Sequence, residues 1–360
     1  MEEVKTAACA VMFWQDGKLV WDDYLRQRQF ALTGQSERVV RWFCEWRDLE
    51  SARLLGERAL EIAGRLLETG VLIRRDSPED LAERELLAEW GAFGPATRYL
   101  HFGARTTAEA RYVDLADDEA YFTRKARTDP PPPVAKTYPD RPLVGLPEGR
   151  VTGADWPRPG LVEALYGRRS TRSFTAEPVS LEAVGEILRL AGGVVEELWH
   201  PELGPVLFRS GPSAGARHPL ELYLYADRVE GLEAGLYHFS PTRGGLEPVG
   251  PAVPYDVRLA ATGGQHWLAD GAAMIVHTAV LARTRWRYAG RRAYRDVLIE
   301  LGHLSQTVLL AATALGLGSV FGTAVRDEEL ERLLGLTGSG EPVLGVTAIG
   351  HASAPEDAGP

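Results

Sequence analysis

Residues 166 to 174 read Tyr-Gly-Arg-Arg-Ser-Thr-Arg-Ser-Phe, so three guanidinium groups, Arg168, Arg169 and Arg172, stand among the hydroxyls of Ser170, Thr171 and Ser173. Arginine presents a planar fork of donors that matches phosphate oxygens, and hydroxyls or backbone amides complete such a shell. The run therefore suits a phosphate-bearing ligand, although three clustered arginines can equally form a solvated surface. About forty residues on comes Pro212-Ser213-Ala214-Gly215-Ala216-Arg217-His218-Pro219. Ala214 and Gly215 have almost no side chain, so the backbone there can approach a planar ring closely, and Ser213 can bond the edge of that ring. The plainer reading is a small-residue turn ahead of a strand. His218 reads as a packed turn residue rather than a ligand.

A third run, Trp286-Arg287-Tyr288-Ala289-Gly290-Arg291-Arg292-Ala293-Tyr294-Arg295, leads into Glu300-Leu301-Gly302-His303-Leu304-Ser305-Gln306. Tyr288 is the candidate base. Arginine does not give up its proton, so Arg287 is suited to holding a substrate carboxylate or carbonyl, or to supporting Tyr288 by its charge. The alternative is an ion pair and a packing aromatic at the lead-in to a helix. His303 suits either a buried hydrogen-bonded position or the substrate site, where Tyr294 is also a candidate. Gly316-Leu317-Gly318-Ser319-Val320-Phe321-Gly322 is not a dinucleotide loop, because it follows a helix and its third glycine falls one position late for GxGxxG. Gly316 and Gly318 are instead expected to end that helix and pass near the ligand. The two cysteines, Cys9 and Cys44, show no CxxC or Cys/His spacing, so buried thiols and no metal site are expected.

Together these runs resemble the nitroreductase superfamily and, within it, the SagB-type branch. That branch contains the azoline dehydrogenases, which oxidise peptide thiazolines and oxazolines to thiazoles and oxazoles. The RRSxRxF run is similar to the family's FMN phosphate clamp, with Arg168, Ser170 and Arg172 matching residue by residue. The 212–219 and 229–238 runs, the Gly302-His303-x-x-Gln306 pattern and Ala314 to Gly318 also fit. Two positions depart: Arg287-Tyr288 stands where a Lys-Tyr pair is common, and Thr307 where Asn usually follows Gln306.

The resemblance spans about 190 residues at the C-terminal end, and it implies FMN as the cofactor. The residues it places on FMN are Arg168, Arg169, Ser170, Arg172, Pro212, Ser213, Ala214, Gly215, Gly316 and Gly318. It also implies a homodimer with flavin at the subunit interface, a peptide-derived substrate, a cyclodehydratase complex as partner, and dioxygen as the agent that reoxidises the flavin. Azoline oxidation removes a ring proton and passes a hydride to the flavin, so a base and the cofactor must meet at one ring. Two further functions stay open: an NAD(P)H-dependent nitroreductase or quinone reductase acting on small molecules, and a non-catalytic flavin-bearing scaffold in a peptide-modifying complex.

The elements that must position these residues are legible from periodicity. Ser180 caps a helix with Leu181, Val184, Ile187, Leu188 and Ala191 on one face, stopped by Gly192-Gly193. Residues 220–225, 235–239, 272–279 and 343–349 read as strands, the last two apolar enough to be central. A long helix over about 291–315 buries Val297, Leu298, Leu301, Leu304, Val308 and Leu309. The fold class is α+β: a mainly antiparallel central sheet flanked by helices, with a small N-terminal winged-helix-like domain. The expected division is 1–127 for that domain, a proline-rich linker or wrapping arm over 128–158, the oxidoreductase domain over 159–352, and a tail over 353–360.

At the N-terminus, strands over 7–14 and 18–25 flank Gln15-Asp16-Gly17, whose Asp-Gly pair supplies the positive φ angles of a tight hairpin. Ser36 is expected to cap a helix carrying Val39, Val40, Trp42, Phe43 and Trp46, and a second helix with Leu60, Ile62, Ala63, Leu66 and Leu67 ends at Gly70. The arrangement resembles a winged helix-turn-helix or the small peptide-recognition domains of ribosomal-peptide biosynthesis. Residues 1–75 hold twelve basic and twelve acidic side chains, so no electrostatic footprint for DNA is present. The net charge of -10 on 360 residues likewise disfavours nucleic acid and anionic lipid. The apolar run over 7–14 is too short for a signal peptide or membrane span, and a reducing, cytoplasmic location is expected.

Overall fold

The computed structural model describes residues 2–106, 108, 114–147 and 160–353. It divides into two compact units, Met1–Arg111 and Tyr112–Pro360.

In the first unit, strands Ala10–Gln15, Lys18–Asp23 and Arg28–Leu32 form an antiparallel meander. Its first turn has Asp16 and Gly17 at φ of 49° and 71°, the pair of left-handed residues that a two-residue hairpin needs. Glu3–Thr6 pairs with Arg47–Asp48 and Leu72–Arg74 in a second small sheet. The first helix runs over Gly34–Trp42, and its cap is Thr33, whose hydroxyl accepts from the Ser36 amide. This corrects the expected Ser36 cap, and it leaves Trp46 beyond the helix. Thr33 is the residue whose extended backbone aims its side chain at the free amides of the first turn. Cys9 is buried as expected, whereas Cys44 is exposed: it follows Phe43, the residue of this segment that enters the core.

In the second unit, seven strands form one antiparallel sheet in the order Gly318–Gly322, Val343–Gly350, Ala273–Ala279, Leu220–Ala226, Gly235–Ser240, Gly245–Pro251 and Val144–Gly145. Alternation along Leu220–Ala226 sorts its side chains between two cores. Leu220, Leu222 and Leu224 pack toward Ile187 and Leu188 of helix Leu181–Gly192 and toward Leu301 and Val308 of helix Arg291–Ala314. Tyr223 and Tyr225 face Leu268, Leu330 and Leu334 on the other side. Helix Arg291–Ala314 is long and apolar enough by composition to cross a bilayer, but the stripe Val297, Leu301, Leu304 and Val308 is part of this core. Of the two other residues expected on that stripe, Leu298 is 40% exposed and Leu309 half-buried.

Helix Leu115–Ala126, expected with the N-terminal domain, lies in the second unit. Lys125 Nζ donates to the Trp286 carbonyl, and the Phe122 and Trp286 rings pack 5.5 Å apart. The proline-rich stretch is an arm wrapped on this unit. Trp286 Nε1 donates to the Asp129 carbonyl, Arg283 Nε donates to the Pro133 carbonyl, and Val144–Gly145 completes the sheet edge. The rest of the expected linker, 148–158, and tail residues 354–360 lie outside the described residues.

The arm covers a buried ionic cluster on the Tyr223 face. His238 lies between Glu221 and Glu247 at 2.9 and 2.8 Å, Arg283 pairs with Glu221 at 2.6 Å, and Lys136 pairs with Glu341 at 2.6 Å. Burial alone would raise the Glu221 carboxyl, but Arg283 and His238 outweigh it and hold it down to about 2. Its contribution to stability is therefore present above the ordinary carboxylate value and is lost as pH falls toward 2. Glu221→Gln is expected to cost about 3–5 kcal/mol, because it leaves Arg283 buried without its counter-charge and leaves His238 only Glu247. A urea midpoint within error of wild type at pH 7 would show the cluster to be energetically idle.

Candidate functional site

The arginine run leaves helix Leu161–Gly167 and docks on the sheet edge. Ser170 bridges Ser319, and the Thr171 amide donates to the Ser319 carbonyl at 3.0 Å. A Cβ at Gly318 would lie 2.7 Å from Thr171, so glycine there is what admits the run. Gly316 has a φ of 73° and follows the C-cap of the long helix, as its expected role in ending that helix requires. Within the run the arginines differ. Arg169 turns back, donating from Nη1 to the Tyr166 and Arg168 carbonyls at 2.7 and 2.9 Å, so it caps its own helix instead of extending from the cluster. Arg168 and Arg172 have no carboxylate partner among the described residues, and Arg172 lies over the Trp267 ring at 5.9 Å. The Ser319 hydroxyl, buried in the same place, has no hydrogen-bond partner among the described residues. Two unpaired cations and an orphaned hydroxyl fit a bound oxyanion such as the FMN phosphate.

The second run is a tight turn with Gly215, Ala216 and His218 at φ of 60°, 50° and 44°. The Ser213 hydroxyl accepts from the His218 amide at 2.8 Å, and the Gly215 carbonyl accepts from Arg217 Nε at 2.8 Å. The third run packs directly on this turn. A Cβ at Gly215 would meet the Tyr288 hydroxyl at 2.9 Å and Arg287 Cγ at 3.1 Å. Gly215→Ala is therefore expected to displace Tyr288 and to cost about 1–2 kcal/mol in backbone strain alone. It should lower the thermal midpoint by a few degrees and cut turnover further than that loss of stability explains. Unchanged turnover would mean that this contact does not matter.

Arg287 is engaged elsewhere. Its guanidinium pairs with Asp118 and stacks over the Phe122 ring at 3.6 Å, both on helix Leu115–Ala126. Asp118 answers the charge of Arg287, the environment of the ion-pair alternative for this residue. Tyr288 is half-buried beside it.

Behind the turn lies a small cavity lined by Arg209, Pro212, His218, Glu300, His303 and Leu304, among others. Burial pushes the Glu300 carboxyl up to about 7, opposed by the Ser213 hydroxyl, Arg209 and Arg283. Burial, with Arg209 next in weight, pushes His218 down to about 4, and its Nε2 bonds the Leu207 carbonyl at 2.9 Å. His218 is the packed turn residue expected of it. His303 is exposed at the cavity's rim, and Tyr294, 39% exposed, stands on the first turn of the long helix.

The structure thus assembles two groups. The arginine run meets Gly318 and Ser319 through Thr171 and Ser170, while Gly215 meets Arg287 and Tyr288 and Pro212 shares a cavity with Glu300. No hydrogen bond or ion pair among the described residues joins the two groups within one chain. Sequence reasoning missed Asp118, Arg209 and Arg283, and gave Glu300 no role. Glu300 alone left a signal, as a charge three residues after Val297 and four before Leu304 on the apolar stripe of its helix.

A model of the nitroreductase family matches residues 165–351. The chain is 35% identical over 175 residues to the nitroreductase-like protein MJ1384 of Methanocaldococcus jannaschii, covering 48% of this chain and 83% of that one. It is 28% identical over 152 residues to the trifolitoxin-processing protein TfxB of Rhizobium leguminosarum bv. trifolii, which is 39% of this chain and 38% of TfxB. A nitroreductase-like crystal structure from Anabaena variabilis superposes with a TM-score of 0.53 at 21% identity, over 72% of this chain and 48% of the other. The chain therefore spans less than half of the last two.

Proposed function

Because the chain belongs to the nitroreductase family, we propose that it is an FMN-dependent oxidoreductase that dehydrogenates azoline rings, or performs a related two-electron oxidation, on a ribosomal-peptide substrate. FMN is the cofactor, with its phosphate held by Arg168, Ser170 and Arg172 and its ring against Ser213 to Gly215. The observation that carries the reading is the contact at Gly215, which sets a candidate base, Tyr288, on the turn proposed to face the ring. The likeness to TfxB, a protein named for toxin processing, supports a peptide substrate over a free small molecule.

FMN, when bound, supplies the acceptor for an electron pair and one hydrogen. Tyr288, as its phenolate, takes the ring proton on its oxygen, and Arg287, pinned by Asp118 and Phe122, holds Tyr288 in place. Small residues at 214 and 215 let substrate and cofactor stack without a side chain between them. The first unit serves as the recognition module: its edge strand Arg28–Leu32 borders a cavity of about 340 Å³ with Thr33, Ile62 and Leu66. A homodimer completes the site. Helix Leu161–Gly167 exposes Leu161, Val162, Leu165 and Tyr166 beside the arginine run, an apolar face that a second copy would cover.

The test is to purify the protein, release its chromophore by denaturation, and mix the oxidised enzyme anaerobically with a peptide bearing thiazoline or oxazoline rings. Bleaching of the flavin together with loss of two hydrogens per ring is the expected result. Bleaching by NADPH alone, with the peptide inert, would favour a small-molecule reductase. Peptide binding with no bleaching at all would favour a scaffold.

A further inference from the structure

Arg283 does more than balance Glu221. It stands on helix Leu281–Arg287 with only 3% of its side chain exposed, and its donors point three ways. Nε donates to the Pro133 carbonyl of the arm at 2.8 Å, Nη1 donates to the His218 carbonyl of the turn at 2.9 Å, and Nη2 pairs with Glu221 Oε1 at 2.6 Å. A planar, charged fork can serve three such acceptors at once. The turn needs a hold of this kind. His218 has a φ of 44° and precedes Pro219, although proline steers the residue before it toward extended backbone at negative φ. Such a conformation persists only where surrounding contacts over-determine it. Three bonds do so here: the His218 amide donates to the Ser213 hydroxyl, its ring bonds the Leu207 carbonyl, and its carbonyl accepts from Arg283. Positions 283 and 287 are four apart, so they share a face of their helix. Arg283 grips the turn at His218, while Arg287 and Tyr288 lie against it at Gly215.

We infer that Arg283 is a positioning residue, which fixes the Ser213–His218 turn against helix Leu281–Arg287 and so sets where Gly215 and Tyr288 meet. Its bond to Pro133 makes the seated arm part of that hold. The inference rests on the flavin reading only for what the turn faces, whereas the three bonds belong to the chain itself.

The test uses the full chain and Arg283→Lys. Lysine keeps a charge for Glu221 but concentrates it at one point, so it cannot serve three acceptors spread around a planar fork. Lys136→Met is the control. Lys136 Nζ reaches Tyr223 and Glu341 in the same buried cluster, and no hydrogen bond or ion pair among the described residues joins Lys136 to the turn. Hydrogen exchange in the apoprotein is followed over residues 213–218 and over strand Leu220–Ala226, and FMN affinity is then measured by fluorescence titration. In Arg283→Lys we expect exchange over the turn to quicken about tenfold, the strand to keep its wild-type protection, and FMN to bind about tenfold more weakly. Lys136→Met should lower the urea midpoint and leave the turn's exchange, relative to the strand's, as in wild type. Wild-type exchange over the turn in Arg283→Lys, or quickening of turn and strand alike, would overturn the inference, because a purely ionic or global role would then suffice. So would a turn opened as far by Lys136→Met. Should Arg283→Lys not fold, the pair Arg283→Gln with Glu221→Gln removes both ions together and is read in the same way. Wild-type protein that takes up no FMN would overturn the cofactor reading instead, and exchange in the apoprotein would still decide this one.

Discussion

Replacing Arg168 and Arg172 together by alanine is expected to leave a folded, colourless protein. Each guanidinium would give the FMN phosphate a charge-assisted bond worth about 1.5–3 kcal/mol. Loss of both should weaken FMN by roughly two to four orders of magnitude. The fold should survive, because neither side chain pairs with a carboxylate among the described residues. The Arg168→Lys and Arg172→Lys pair should recover part of the affinity, since an ammonium keeps the charge but not the planar fork. Arg169→Ala provides the contrast: its guanidinium is committed to two carbonyls of its own helix end, so FMN retention should change little. Flavin fluorescence on titration of the apoproteins gives all three values. A double alanine variant that purifies with a full complement of flavin would mean that the phosphate sits elsewhere.

Tyr288→Phe carries the second large effect, and it should separate chemistry from binding. The ring stays, so packing on Gly215 and beside Arg287 stays, and only the phenolic oxygen that, once ionised, receives the substrate proton is lost. Removing a general base costs about two to four orders of magnitude in the chemical step, whereas FMN content should remain that of wild type. Rapid mixing under anaerobic conditions would resolve the flavin bleaching rate from peptide binding. Wild-type bleaching by Tyr288→Phe would remove the hydroxyl from the mechanism and turn attention to Glu300 or His303. Asp118→Asn is the companion variant: it frees Arg287 without touching Tyr288, and a loss of about tenfold is expected from misplacement alone.

Much of the second unit was legible because its strands and helices obey their periods. The helix capped by Ser180, the long helix from Arg291 and the four strands are where alternation and the 3.6-residue stripe put them, and Gly316 ends a helix as its neighbours suggest. The site was less legible, for a physical reason. Arg169 and Arg287 look equivalent to the other arginines in sequence, since their commitments, two carbonyls in one case and Asp118 with Phe122 in the other, depend on chain direction and on distant residues. The cluster of Glu221, His238 and Glu247 was hidden in a similar way. Its members sit on strands otherwise apolar, and only strand register reveals that three ionisable side chains on three segments share one interior point. Thr33 rather than Ser36 caps the first helix for a local reason, because the backbone leaves extended geometry three residues earlier than the apolar stripe suggests.

The brace on Arg287 lies outside the stretch shared with the family. Asp118, Phe122, Lys125, Asp129 and Pro133 all precede residue 165, where the family match begins. An excised second unit that starts at residue 128, or at the start of the matched stretch, would lose the Asp118 and Phe122 contacts while retaining every strand of its central six. Two homologues with interchangeable sheets could thus aim the same tyrosine differently, according to what their preceding segments bring to lie across it. Grafting one such leading segment onto another's sheet would exchange the aim while leaving the shared fold intact.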